Sequence, residues 1–453
     1  MKPSKWNLEM EVDDNLILFN QITQAILKVE PEKTKKVKDI LHSSEISNSD
    51  DEDISMLKRG GFIIEDDFDE TDHLKSRFNN YKYTDEFLRF TIVMTTACNF
   101  ACTYCYQSQI IPLMRNGSPQ KLPDEMVSNV LKVTKKYFES RKPRTLSVTF
   151  YGGEPLLEFE KMVKLSDGFQ KLCEEYEVFY DPFIVTNGYL LNEERAKELS
   201  NVGIKSVIIT VDGQKDFHDR YRPLKSGDGT YSTLIKNIQE IQDIIHVQIR
   251  TNISKESVPS VKGMIKEFAQ KGLKVAFDFQ MVEVVPGATN SFEDRTLTLK
   301  EFANVEVELY REVLKNFPNY PFNPFKRIRF ARCDALCQNS FVVDTDGRLF
   351  KCWGEVGSSN KNVGWIREGK IELNHRLERW TSWSPFENER CKNCEILPLC
   401  MGGCVFNEIV ADKLHASPVK KPQSTCIPLK YNLKDMIKLV VENELSKKAR
   451  KEV

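Results

Sequence analysis

The stretch FTIVMTTACNFACTYC, residues 90–105, opens as a strand and closes on three cysteines. Phe90 to Thr95 is apolar and partly β-branched, the composition of a buried strand. Cys98, Cys102 and Cys105 follow at once, so three thiols stand at that strand's C-terminal end. Soft thiolates favour iron–sulfur clusters or zinc. A closed zinc site takes four ligands, and only three cysteines are local here. Three thiolates on a four-iron cluster leave one iron open to another ligand. A zinc knuckle is the competing reading.

Outward from this strand the pattern is βα repetition. Further strands are expected at Leu146 to Phe150, Phe183 to Thr186, Val207 to Val211, Val247 to Asn252 and Val275 to Met281. Amphipathic helices are expected between them, at Asp124 to Phe138, Glu158 to Glu175, Glu193 to Ser200, Ser232 to Ile244 and Val261 to Lys271. Apolar strands alternating with helices imply a parallel sheet with right-handed crossovers. Six such units predict an α/β fold, an open (β/α)6 partial barrel of TIM-like kind. Sites in parallel barrels lie at the C-terminal strand ends. Gly152-Gly153-Glu154, Asn187, Asp212 and Asn252 all fall at such ends.

The remainder divides around this barrel, taken as residues 86–320. Residues 1–85 read as a small α+β module. It has an apolar run at Leu16 to Phe19, helices at Gln21 to Val29, Lys33 to Leu41 and Ile54 to Lys58, and a strand at Phe62 to Glu65. That order resembles a winged helix, and a generic α+β cap fits equally. Leu297 to Phe317 is one long helix. Residues 321–430 are Cys-rich with short strands at Phe341 to Asp344 and Arg348 to Lys351, turning at Asp346-Gly347. The tail, 431–453, is Lys-rich and helical, its charges read as a solvated face.

Composition excludes several classes. The 453 residues carry 65 Lys plus Arg against 66 Asp plus Glu, a net charge of −1 with no global pull toward nucleic acid or anionic membrane. No apolar run approaches the roughly 20 residues of a membrane helix. No secretory signal core opens the chain, so a cytoplasmic protein is expected. Twelve cysteines in two groups, with Cys173 alone as a core thiol, point to metal ligation rather than disulfides.

Cys98-x3-Cys102-x2-Cys105, with the aromatic Tyr104 in the last gap, resembles the signature of radical S-adenosylmethionine (SAM) enzymes. The resemblance implies a 4Fe–4S cluster whose open iron is chelated by the amino and carboxylate groups of SAM, and a 5′-deoxyadenosyl radical on reduction. Gly152-Gly153-Glu154-Pro155 is similar to the family's Gly-Gly-Glu element, which binds the SAM amino group. Thr210 and Asp212 resemble the fourth-strand residues that contact SAM's polar groups, with Arg222 adding charge. Asn187 and Asn252 are expected as polar lining, although strand-end capping explains them too. Tyr104 is expected near the adenine or as a shield for the cluster.

Cys333, Cys337, Cys352, Cys391, Cys394, Cys400, Cys404 and Cys426 resemble the SPASM domain of radical SAM enzymes that modify peptides and proteins. The resemblance implies two auxiliary 4Fe–4S clusters, one on Cys333, Cys337, Cys352 and Cys404, the other on Cys391, Cys394, Cys400 and Cys426. If Cys333 is not a ligand, the first has an open iron. Two zinc ribbons are the alternative, and with them a non-catalytic zinc-binding protein. Three clusters behind an N-terminal module look like the thioether-forming maturases of ribosomally made peptides. Their partners are a precursor peptide with a leader, held by strand addition, and a reductant such as flavodoxin or ferredoxin. Anaerobic sulfatase maturases, which form formylglycine, share the auxiliary cysteines but commonly carry Asp where this chain has Trp353, and begin their motif nearer the N-terminus. Carbon–carbon cross-linking maturases remain a third option.

Overall fold

The computed structural model describes residues 1–43, 45–46, 51–105, 107, 118–282, 295–325, 330–358, 360–414 and 425–451. The expected barrel is present. Six parallel strands, β6 (Phe87–Thr95), β7 (Thr145–Gly152), β8 (Phe179–Thr186), β9 (Ser206–Thr210), β10 (His246–Ile253) and β11 (Val275–Met281), pair in sequence order. Helices α4 (Asp124–Arg141), α5 (Phe159–Glu175), α6 (Glu193–Asn201), α8 (Tyr231–Ile241), α9 (Val258–Gln270) and α10 (Leu299–Asn316) stand where periodicity sets them. A further helix, α7 (Lys215–Tyr221), precedes α8 and was not expected. Along β7, Leu146, Val148 and Phe150 are buried in one core with Val130, Met162 and Phe169 of the helices. Ser147, Thr149 and Tyr151 alternate with them onto the other face.

The sheet does not stop at the barrel. Strand β12 (Ser340–Val343) pairs in parallel with β6, and β13 (Arg348–Phe350), β14 (Gly364–Arg367) and β15 (Lys370–Leu373) extend it antiparallel to ten strands. The Asp346-Gly347 hairpin lies between β12 and β13, as expected. The Cys-rich region therefore continues the barrel's own sheet.

The N-terminal module leads with strands. β1 (Lys2–Pro3) pairs with β5 (Ile63–Ile64), and β2 (Asn7–Val12), β3 (Asn15–Asn20) and β4 (Ile26–Val29) form an antiparallel sheet. Asp13 and Asp14, at φ of 47° and 61°, close the β2–β3 hairpin, the double left-handed turn that tight hairpins use. The helix expected at Gln21 to Val29 is instead a turn and β4. Helices α1 (Pro31–Leu41), α2 (Glu52–Gly60) and α3 (Glu70–Tyr83) follow, and α3 was not foreseen. Strand β3 is buried on both faces, which explains its unbroken apolar run. Leu16 and Leu18 pack with α1 and α2. Ile17 and Phe19 pack with Phe325 and with Leu433, Met436 and Ile437 of the C-terminal helix, α12 (Leu429–Lys451), which follows α11 (Val405–Leu414). The tail thus buries an apolar stripe, at roughly 1.5–3 kcal/mol per large side chain, and is more than a solvated face.

Candidate active site

The site begins where β6 ends. Thr95 is the last strand residue, and its hydroxyl accepts from the Ala97 amide at 3.1 Å. The cysteine loop is then tied down by its own backbone. Ala101 and Thr103 amides donate to the Pro223 and Tyr221 carbonyls, and the Lys225 amide donates back to Asn99. On its other side lies the Gly152-Gly153-Glu154 turn. The amides of Gly153 and Glu154 donate to the Thr95 and Ala97 carbonyls, both at 2.8 Å. A Cβ on Gly152 would stand 2.3 Å from the Thr95 oxygen, and one on Gly153 2.1 Å from the Ala97 oxygen. Glycine is required here because two backbones touch, and the contact sets where Cys98 stands.

Cys98, Cys102 and Cys105 are near enough for their charges to act on one another. Burial pushes the Cys98 thiol up to about 11 and the Cys102 thiol up to about 12, and the neighbouring thiols add to both while Arg222 opposes them. Without a cation the neutral thiols are favoured; a bound metal reverses that preference and releases the protons.

Four of the residues singled out from sequence converge beside these cysteines. The Tyr104 hydroxyl donates to Asp212 Oδ2 and accepts from Arg222 Nη1 at 2.7 Å. Arg222 Nη1 stands 3.8 Å from the same Asp212 oxygen. Asn252 donates its amide to Asp212 Oδ1 at 2.8 Å and directs its side-chain nitrogen to Asp212 Oδ1 and the Tyr104 oxygen, both at 3.3 Å. Burial raises the Asp212 carboxyl, and Arg222, Tyr104 and Asn252 pull it back. Thr210 is buried at the end of β9 and stands outside this network.

Glu154 is sealed from solvent. Its Oε1 accepts from the Thr186 hydroxyl at 2.6 Å and the Leu156 amide at 3.0 Å, and Oε2 accepts from the Asn187 amide at 2.8 Å. The carboxylate therefore braces the ends of β7 and β8 from inside. The Asn187 side chain reaches the cysteine loop, donating to Asn99 Oδ1 at 2.8 Å and toward Cys98 Sγ at 3.9 Å.

The eight later cysteines separate into two neighbourhoods. After burial, which pushes it up to about 12, the Cys333 thiol is raised by Cys404 and Cys337, and Cys352 is raised by Cys333 and Cys404. Burial pushes Cys391 and Cys400 up to about 11; Cys400, Cys426 and Cys394 then act on Cys391, and Cys426 and Cys394 on Cys400. One neighbourhood therefore joins Cys333, Cys337, Cys352 and Cys404, and the other Cys391, Cys394, Cys400 and Cys426. Cys173 is a buried core thiol in α5, as expected.

Sequence reading misses His218 and the seat of the N-terminal module, and gives Trp353 only as a departure from the sulfatase maturases. His218 Nδ1 accepts the Asp212 amide at 3.2 Å, and burial holds its ring neutral. Trp353, directly after Cys352 and 41% exposed, stacks on Tyr151 at 5.0 Å, linking the Cys-rich region to the end of β7. The N-terminal module touches the second quartet: Trp6, Ile22 and Leu74 pack with Leu397, Cys391 and Cys394, and Gln21 donates to the Glu395 carbonyl at 2.9 Å. Among the described residues no helix is long and apolar enough to cross a membrane.

Comparison with known proteins gives these features a context. Residues 92–268 match the family model of the Radical SAM superfamily. The chain is 23% identical over 438 residues to the radical SAM cyclopropyl synthase TigE of Paramaledivibacter caminithermalis, covering 89% of each. It is 24% identical over 339 residues to the cysteine-type anaerobic sulfatase-maturating enzyme of Clostridium novyi, covering 69% of this chain and 86% of that one. The fold is like that of SuiB from Streptococcus suis, solved bound to precursor peptide SuiA, with a TM-score of 0.51 at 15% identity over 94% of this chain and 99% of the other.

Proposed function

We propose that the chain is a radical SAM enzyme and, within that class, a peptide maturase that installs thioether cross-links, Cys sulfur to carbon, in a ribosomally made precursor. The observation that carries the peptide reading is the pair of thiol quartets beside the barrel, with the N-terminal module packed on the second of them. Likeness to a sporulation killing factor maturation protein and to sulfatase-maturating enzymes supports the coarser class.

The donor sets fit iron–sulfur clusters. Cys98, Cys102 and Cys105 would hold the SAM-binding cluster. Cys333, Cys337, Cys352 and Cys404 would hold a first auxiliary cluster, and Cys391, Cys394, Cys400 and Cys426 a second. Buried Lys82 and Lys351, with backbone carbonyls as their hydrogen-bond acceptors, call for an anion at the first quartet. When bound, the open-iron cluster and SAM supply a 5′-deoxyadenosyl radical. Tyr104, Asp212, Arg222 and Asn252 present charge and donors to SAM's polar groups, with Asn187 and Thr210 on the same rim. Gly152 and Gly153 hold the cysteine loop in place, and Glu154 holds the turn. Residues 1–85 take the leader by strand addition at an edge of the β2-β3-β4 sheet, and a flavodoxin or ferredoxin in the cytoplasm supplies electrons.

Trp353 favours this reading over formylglycine formation. An exposed indole stands where sulfatase maturases commonly carry a carboxylate, so that base is missing. A second reading, carbon–carbon bond formation, is favoured by the near full-length match to a cyclopropyl synthase.

Mass spectrometry of a precursor co-expressed with the enzyme separates the three. Thioether formation removes two hydrogens per bond and protects a peptide cysteine from alkylation. Carbon–carbon closure removes hydrogens but leaves every thiol reactive. Formylglycine formation removes sulfur and leaves an aldehyde.

A further inference from the structure

Two lysines lie inside the protein with carbonyls for partners. Lys82, in the last turn of α3, is 2% exposed, and its ammonium donates to the Trp383 carbonyl at 2.8 Å. Lys351, directly before Cys352, is 4% exposed and donates to the carbonyls of Cys337 and Ser340, each at 2.5 Å. Neither pairs with a carboxylate among the described residues. Arg89 on β6 joins them. Its Nη1 donates toward Cys337 Sγ at 3.9 Å and to Asp334 at 2.7 Å, and its guanidinium lies 3.8 Å over the Phe87 ring. Backbone bonds fasten Lys82 and Arg89 to the segment whose carbonyls Lys351 holds: the Gln338 amide donates to the Lys82 carbonyl and the Arg89 amide to the Asn339 carbonyl. Asp334, held by Arg89, is the carboxylate in contact with this group.

The ring faces of Phe78 and Tyr83 lie beside Lys82 and that of Phe341 beside Lys351. Burial still pulls Lys82 down to about 8 and Lys351 down to about 7, because an ammonium held there without an anion costs several kcal/mol. An anion within the same enclosure offsets that cost. A 4Fe–4S cluster on four thiolates is such an anion, and its negative charge grows by one unit when it takes an electron. Local charge, hydrogen bonds to sulfur and solvent exposure set the potential of that uptake. In a low-dielectric setting each fixed cation favours the reduced form.

The second quartet is built differently. Its nearby cations lie at the surface: Arg390, paired with Glu408; Lys430, 3.9 Å from Cys426 Sγ; and Arg332, beside Cys400. Charges in that position are screened by water and salt.

We propose that buried Lys82 and Lys351, with the half-buried Arg89, form a cationic shell that makes a cluster at Cys333, Cys337, Cys352 and Cys404 the more readily reduced of the two auxiliary clusters. The inference rests on the reading that both quartets hold 4Fe–4S clusters. It also gives the shell a place: Cys352 adjoins Trp353, which stacks on Tyr151 at the end of β7, so the more reducible site is the one joined to the barrel mouth.

The test is potentiometric. Anaerobically reconstituted protein carrying Cys98→Ala, Cys102→Ala and Cys105→Ala leaves the auxiliary sites to be titrated by electron paramagnetic resonance. Adding Cys391→Ala and Cys394→Ala identifies which signal belongs to the first site. The first is expected to have the higher midpoint. Lys82→Met or Lys351→Met should lower it, and the pair by at least a tenfold change in the reduction equilibrium, about 59 mV for one electron. The second midpoint should stay put, and Lys351→Arg should keep most of the wild-type value. A reversed or equal order in the unaltered shell overturns the proposal, and decides it even where a lysine variant fails to load iron. So does an unmoved first midpoint in a loaded double variant. Zinc in the quartets, or iron in one alone, overturns the cluster reading beneath it.

Discussion

Arg222 and Asp212, both buried, meet at 3.8 Å across the Tyr104 hydroxyl, which accepts from the first and donates to the second. One fixed cation, one fixed carboxylate and one phenol thus share an enclosure beside the three cysteines. Removing either charge strands the other.

Arg222→Ala is therefore expected to cost about 3–5 kcal/mol, the penalty for an uncompensated buried charge. Tyr104→Phe keeps the ring and loses the bridge, at about 1–3 kcal/mol. Urea unfolding of both variants measures this, with 5′-deoxyadenosine formation as the second readout. An Arg222→Ala protein as stable as the parent would mean that the ion pair has no structural weight.

His218 gives the protein a pH-sensitive element. Burial holds its pKa well below the usual value, and its Nδ1 accepts the Asp212 amide. In the unfolded chain it takes a proton at about pH 6.5. The unfolded state then binds more protons than the folded one, so stability is complete above that pH and falls as pH drops through it. Unfolding midpoints followed from pH 7.5 down to about 5.5 should decline in the parent and decline less in His218→Gln. Parallel slopes would assign the acid sensitivity elsewhere.

Gly153→Ala drives a methyl group into the Ala97 carbonyl. Overpacking of this kind costs about 1–3 kcal/mol, and the loop that moves carries Cys98. Iron at the SAM-binding site should be lost while the auxiliary quartets still load. Spectroscopy resolving the clusters, set against Cys98→Ala, checks this; full loading would show that the turn does not fix the cysteines.

Trp353→Ala should remove the stack on Tyr151, worth about 0.5–1.5 kcal/mol, and open the space between barrel and Cys-rich region. Peptide conversion is expected to fall at least tenfold with SAM cleavage in the absence of peptide unchanged. Equal loss of both activities would make Trp353 a structural prop only.

Much of this was legible in the sequence, for identifiable reasons. The six barrel strands are apolar runs set between amphipathic helices, and both signals are local. Cysteine spacing is legible in the same way, because thiolate ligands tend to recur at short intervals. The segment of β4 reads as helix in the sequence because a four-residue strand after a turn offers little period. The parallel pairing of Val342 with Thr91 joins segments some 250 residues apart, which no local pattern encodes. Lys82 and Lys351 carry no signature in a chain with 65 basic residues; only burial sets them apart. The Gly-Gly-Glu turn was found, but the carboxylate's inward direction depends on Thr186 and Asn187 of the next strand.

The most direct measurement of the central claim is 5′-deoxyadenosine formation by the anaerobically reconstituted enzyme with SAM and a strong reductant. The parent should release it, and the protein carrying Cys98→Ala, Cys102→Ala and Cys105→Ala should release none while its auxiliary iron persists. Retained SAM cleavage in that triple variant would contradict the assignment of the radical-generating site.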